Sequence, residues 1–320
     1  MTIEPRANSN FTVLGGTSPH EQGDARYQAY RADWFGRPRR FEAGDFPLHL
    51  DLEATSRCNL RCVFCDKLPV LPREKIGDMD FALYERILAE AEEHGLCGLK
   101  LSYRGEPLLH PRIVDMVRLA KRRGVQDVYF NTNGMLLTED LAAALMDAGL
   151  DRISISMEGT DPLAFESARR GASFERIKAN VAGLLALRRR RGLGIPHVRL
   201  QTVVLPGIDL EAYAAYWGPL SDETAAVDYK DVRVEQRETP GWACPQPWQR
   251  VTVEWDGTVH PCNNDDQQRA VLGNAARTSL AECWRGPAAC ALRELHRAGN
   301  AHVSPACAVC PWRAAQADKA

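Results

Sequence analysis

From residue 46 onward the spacing of hydrophobic positions switches repeatedly between a period of two and a period near 3.6. "LHLDLEAT" (48–55) alternates as a strand does and runs into a cysteine-bearing loop, while "FALYERILAEAEEHG" (81–95) places its apolar residues on one helical face and stops at Gly95. The switch then recurs. "LKLSY" predicts a strand followed by a helix over about 110–123; "DVYFNTNG" predicts a strand, then the helix "TEDLAAALMDAG"; "RISISM" predicts a strand, then the helix "SFERIKANVAGLLALRRRR". "VRLQTVVL", a helix around 210–220 and "DVRVEQR" complete six strand–helix units. Such alternation makes a parallel sheet with helices outside it. Six units fall short of a closed eightfold barrel, so the expectation is an α/β protein built as an open, partial (β/α)6 barrel.

The pattern breaks at both ends. Residues 1–44 are rich in Gly, Pro, Ser and charge and predict a flexible or loosely docked lead-in, leaving 45–239 for the barrel. After the Pro-rich stretch "ETPGWACPQPW", residues 240–320 form a second unit. In it "RVTVEWDGTVHPC" predicts a hairpin turning at Asp256-Gly257, and one helix is expected over about 279–298. A unit this small gains from a structural cofactor.

Composition narrows the classes. With 45% hydrophobic and 26% charged residues and a formal net charge of -2, the chain has an ordinary globular balance and no basic excess for nucleic acid or an anionic membrane. The Arg188–Arg191 run suits the negative end of a helix dipole. No segment reads as a signal peptide or reaches the roughly 18 apolar residues of a membrane span. Ten cysteines in such a chain point to metal ligation in a reducing cytoplasm rather than to disulfides.

Three of the ten stand in "SRCNLRCVFCDK" as Cys58, Cys62 and Cys65, a C-x3-C-x2-C spacing. Three thiolates on a short loop can hold three corners of an iron–sulfur cluster and leave one iron open to a chelating ligand. A zinc site would want a fourth Cys or His, and the loop has none.

With this motif after the first strand and Phe64 just before its last cysteine, the chain resembles the radical S-adenosylmethionine (radical SAM) superfamily. "RGEP" at 104–107 is similar to the family's Gly-Glu motif, in which Gly105 and Glu106 would meet the methionine amino group. "TNG" at 132–134, with Asn133, and "SISME" also match. The resemblance implies Ser156 near the ribose, Arg169 near the methionine carboxylate, and Glu158 where an Asp is commoner. It further implies a first [4Fe–4S] cluster, S-adenosylmethionine, and an external electron donor such as flavodoxin or ferredoxin.

The tail resembles the SPASM/twitch extension. Cys244, Gly257 and Cys262 give C-x12-G-x4-C, and Cys307 and Cys310 add C-x2-C. The next cysteine of the full pattern would fall at Gln316, so the resemblance implies a single auxiliary [4Fe–4S] cluster on Cys244, Cys262, Cys307 and Cys310, with a four-cysteine zinc ribbon as the alternative. Cys97 should lie at the closed end of the barrel, and Cys283 and Cys290 should pack in a core. Members of the family that this build resembles include enzymes acting on sugars and aminocyclitols in antibiotic biosynthesis, so the resemblance implies a substrate of that class. Oxidation of a carbinol to a ketone is the expected reaction, since no cysteine lies between Cys97 and Cys244 to return a hydrogen atom. Epimerisation through Cys283 or Cys290 is the alternative, and peptide modification is a third class for which the lead-in looks short. Glu235 and Tyr103 are the candidate proton acceptors by position. The five tail tryptophans, Trp242, Trp248, Trp255, Trp284 and Trp312, suit packing before sugar stacking.

Overall fold

The computed structural model describes residues 11–17, 24–65, 75–229 and 240–313. Strand β1 (Phe11–Gly16) and helix α1 (Ala25–Arg40) precede the first barrel strand, β2 (His49–Leu52). There follow β3 (Arg61–Cys62), α2 (Phe81–Glu93), β4 (Gly98–Lys100), α3 (Ile113–Arg122), β5 (Asp127–Thr132), α4 (Glu139–Asp147), β6 (Arg152–Ser156), α5 (Pro162–Ala168), β7 (Arg169–Arg170), α6 (Phe174–Arg190), β8 (His197–Val204), α7 (Leu210–Trp217) and β9 (Glu223–Asp228). The tail holds β10 (Arg250–Val253), β11 (Thr258–His260), β12 (Gly273–Asn274), α8 (Leu280–Arg285), α9 (Pro287–Arg297) and α10 (Pro305–Ala308).

One sheet runs in the order β1-β9-β8-β6-β5-β4-β2-β10-β11-β12. The six strands β2, β4, β5, β6, β8 and β9 are mutually parallel, as strand–helix alternation requires. Local chemistry sets the element ends. Asp80 caps α2 by accepting from the Ala82 and Leu83 amides, and Gly95, at φ +64°, closes it with Gly95 N–H to Glu92 O and Leu96 N–H to Ala91 O. This is the paired pattern that a glycine-terminated helix makes. The apolar outer face of the sheet, including Leu50, Leu52, Leu99, Val128, Phe130, Ile153 and Ile155, packs beneath the helices in one continuous core.

Three expectations change. The lead-in is not loosely docked where it is described: β1 pairs antiparallel with β9, and α1 carries Tyr27 and Tyr30 onto Leu48 and Cys97. Its polar composition hid a narrow aromatic stripe at i, i+3 spacing. Secondly, the sixth parallel strand is β9, whose Ala-Ala-Val run is a weak strand signal; "DVRVEQR" lies outside the described residues. Thirdly, the expected helix over 279–298 is two helices, because Pro287 lacks an amide hydrogen and starts a new one after Gly286. The hairpin turns at Asp256-Gly257 as expected, with Gly257 at φ +88°. Its strand β10 also joins the barrel sheet, parallel to β2.

The arginine run lies at the largely exposed end of α6, where three of its members make ion pairs. Arg188 pairs with Asp222 at 2.7 Å, Arg190 with Glu139, and Arg191 with Asp147. Among the described residues no helix is long and apolar enough to cross a membrane.

Candidate active site

The carboxyl ends of the parallel strands open onto a cavity of about 430 Å³. Cys58, Cys62, Phe64, Cys65, Tyr103, Gly105, Glu106, Asn133, Ser156 and Arg169 all line it, so ten residues singled out from sequence converge. The cysteine loop is held at both ends. Ser56 N–H donates to Gly77 O, its hydroxyl donates to Lys75 O, and Arg57 reaches Asp78 through Nε at 2.9 Å. Farther on, the β3–β7 ladder pairs Cys62 with Arg169.

The Gly-Glu motif clamps the start of this loop. Gly105 has φ +67°, and a Cβ there would stand 2.5 Å from Thr55 O and 2.6 Å from Arg57 O, so only glycine fits. The buried Glu106 carboxylate accepts from Asn133 N–H at 2.7 Å, Thr132 Oγ1 at 2.6 Å and Leu108 N–H at 3.1 Å. Burial raises its pKa above the ordinary value despite these bonds. Asn133 donates through Nδ2 to Asn59 Oδ1 at 2.8 Å, so its side chain braces the cysteine loop.

Arg169 is buried against Glu158, with Nη2 to Oε1 at 2.7 Å and a second contact through Nε. Burial opposes its charge, and Glu158 more than restores it, holding the guanidinium above the ordinary arginine value. Its Nη1 lies 3.8 Å from Cys62 Sγ, and its centre lies 5.2 Å from the Phe64 ring. Glu158 therefore serves Arg169 and does not line the cavity. The Cys62 thiol is pushed up to about 11, chiefly by burial, so loading iron there must expel a proton.

Sequence reasoning missed the support behind Tyr103. Arg104 is fully buried, donating to Glu53 at 2.7 and 2.8 Å and reaching Glu254 of the tail at 2.7 Å. Glu254 also accepts from His260 at 2.6 Å, and burial is outweighed there by Asp265 and Glu254, which hold His260 at about 9. Tyr103 donates its hydroxyl to Asp266 at 2.7 Å, and burial foremost lifts its phenol well above the ordinary value. Tyr103 is thus no phenolate base. Glu235 lies outside the described residues.

The tail cysteines converge as well. Cys244, Cys262, Cys307 and Cys310 line one small apolar cavity with Trp242, Leu292 and His296. Gln246 and Asn264 line both this cavity and the larger one, so one wall separates the two thiol sets. Among the described residues no three Cys, His, Asp or Glu stand close enough for a single metal ion. A four-iron cluster takes one thiolate per iron. Soft sulfur donors in sets of three and four fit that group. The remaining cysteines line neither cavity. Cys97 donates to Gln126 at the closed end, and Cys283 is in the core. Cys290 corrects the expectation: it is exposed, because it lies off the face of α9 that buries Ala289, Leu292 and His296. Of the tryptophans, Trp242, Trp248 and Trp284 are buried and Trp312 lines the large cavity.

Comparison with known proteins agrees with this geometry. The family model "Radical SAM superfamily" matches residues 52–215, and "Iron-sulfur cluster-binding domain" of the SPASM type matches 244–311. The GTP 3',8-cyclase of Peptoclostridium acidaminophilum is 32% identical over 163 residues, covering 50% of this chain and 48% of its own. The chain thus aligns with about half the length of the curated relatives it matches. BtrN in complex with AdoMet and 2-DOIA superposes with a TM-score of 0.54 at 19% identity over 79% of this chain and 88% of its own. Native anSMEcpe with bound AdoMet gives 0.63 at 15% identity over 85% and 95%. The two domains imply a [4Fe–4S] cluster, an auxiliary cluster and S-adenosylmethionine binding. A thiol triad beside a Gly-Glu clamp at the mouth of a parallel barrel, backed by a four-cysteine tail, places this chain in the radical SAM superfamily, in its SPASM-type subgroup.

Proposed function

We propose that the chain oxidises a carbinol carbon of a sugar or aminocyclitol to a ketone. Cys58, Cys62 and Cys65 would hold the open cluster, and Cys244, Cys262, Cys307 and Cys310 the auxiliary one. When bound, these groups and S-adenosylmethionine supply a 5′-deoxyadenosyl radical that takes the carbinol hydrogen and a cluster that accepts one electron. The observation that carries the reading is the wall shared by the two cavities, Gln246 and Asn264, which sets the tail thiols next to the substrate space.

The chain's own residues have four tasks. Asn131, Asn263, Asn264 and Gln246 line the cavity with amides that both donate and accept, which suits a polyhydroxylated ligand. Tyr103, its proton committed to Asp266, offers an oxygen lone pair to the substrate hydroxyl; a proton received there passes on to Asp266. Glu235 is the second candidate for this role. Arg169 and Glu106 would orient the methionine moiety. Exposed Arg57, Arg61 and Arg170 around the cysteine loop suit an acidic one-electron donor such as flavodoxin or ferredoxin. The absence of any described cysteine at the cavity other than the proposed ligands favours oxidation over epimerisation.

The test is anaerobic incubation with candidate glycosides and aminocyclitols carrying deuterium at the carbinol carbon. A product lighter by one hydrogen and one deuterium, with the label in 5′-deoxyadenosine, is expected. Inverted configuration with solvent hydrogen gained would make it an epimerase. Turnover of GTP alone would favour the second reading, drawn from the cyclase relatives.

A further inference from the structure

We infer that His296 raises the reduction potential of the auxiliary centre by donating a hydrogen bond to the Cys307 sulfur; this rests on the reading that the four tail cysteines hold a cluster. His296 lies on α9 with no exposed surface. Its ring is gripped by Trp242 and Trp248, with centroids 5.9 and 6.0 Å away. Both ring nitrogens are engaged. Nδ1 faces the backbone N–H of Cys244 at 2.9 Å, and Nε2 faces Cys307 Sγ at 3.4 Å.

The tautomer follows from the partners. A backbone N–H can only donate, so Nδ1 must offer its lone pair, and in a neutral ring the proton then sits on Nε2. That proton points at Cys307. When one electron enters the cluster its negative charge grows, and part of that charge resides on the ligand sulfurs. A fixed N–H dipole aimed at one of them stabilises the reduced state more than the oxidised state, so reduction becomes easier. The residue thus acts through Cys307, as a positioning group, and makes the tail centre a better electron acceptor.

The experiment uses the Cys58→Ala, Cys62→Ala, Cys65→Ala variant, in which the auxiliary cluster is the sole iron centre, titrated with dithionite and followed by electron paramagnetic resonance. His296→Phe removes the donor and keeps bulk; His296→Gln restores an N–H near the Nε2 position. His296→Phe should shift the reduction equilibrium about tenfold toward the oxidised form, about 59 mV for a one-electron couple. His296→Gln should recover most of that shift. Equal potentials in all three proteins would overturn the inference while leaving the cluster reading intact. Loss of four-iron content with His296 unaltered would instead overturn the cluster reading. Should His296→Phe fail to load, 15N-histidine labelling of the unaltered protein decides the matter: one ring nitrogen should couple to the reduced cluster, and no coupling would reject the hydrogen bond.

Discussion

Arg104→Met tests whether the tail is electrostatically keyed to the barrel. Arg104 stands between Glu53 on the barrel side and Glu254 on the hairpin, and all three side chains have at most 1% exposure. Removing the guanidinium leaves Glu254 with His260, but strips Glu53 of both its short bonds and leaves it only the Trp255 amide at 3.3 Å. Breaking a buried pair in this way costs about 3–5 kcal/mol. The loss should depend on pH. Burial already raises Glu53 above the ordinary glutamate value, and removing Arg104 raises it further. Between the unfolded and the raised folded value, the native state binds a proton that the unfolded chain does not. The stability of the variant therefore falls as pH rises through that window, by up to about 1.4 kcal/mol per unit, and its deficit shrinks on acidification. Anaerobic urea unfolding of iron-loaded protein, followed by circular dichroism at pH 5.5, 6.5 and 7.5, measures this. Adding Glu53→Gln to Arg104→Met should recover much of the deficit at pH 7.5. A deficit below about 1 kcal/mol, or one independent of pH, would refute the reasoning.

Three further outcomes are expected. Anaerobically reconstituted protein should hold about eight irons per chain, the content of two four-iron clusters, and a value near four with one zinc would reject the auxiliary cluster. Alanine at Cys58, Cys62 and Cys65 together should abolish 5′-deoxyadenosine formation and leave the tail cluster's absorbance; residual cleavage would contradict the ligand assignment. Gly105→Ala must displace the carbonyls of Thr55 and Arg57 and with them the cysteine loop, so S-adenosylmethionine cleavage should fall at least about tenfold with the tail cluster retained.

The barrel was legible because its strands and helices differ in period, and a helix such as α2 has a local reason to end, its Gly95. The thiol triad was legible because its spacing is dense and local. What stayed hidden depends on partners far away in sequence. Arg104 reads as a polar residue in a motif until Glu53 and Glu254 are seen to meet it, and Glu158 reads as a ligand contact until Arg169 is seen to occupy it. His296 had no signal at all, since a lone histidine on an amphipathic helix is ordinary until the Cys244 amide and the Cys307 sulfur converge on it. Helix α1 was missed because polar and small residues dilute its apolar signal, and the aromatic stripe that helps dock it is narrow.

The parallel pairing of β10 with β2 has a bearing on how the chain is made. The first barrel strand leaves the ribosome with one edge that no neighbouring segment can cover, because its partner begins at Arg250, about 200 residues after His49. At a synthesis rate of about 5–20 residues per second, that edge waits roughly 10–40 s for its closing strand. During this interval it presents unpaired amides and carbonyls that another chain could use. Chains released early, short of β10, would keep the edge open for good. A nascent chain of this build therefore keeps that edge of β2 open until the tail has emerged.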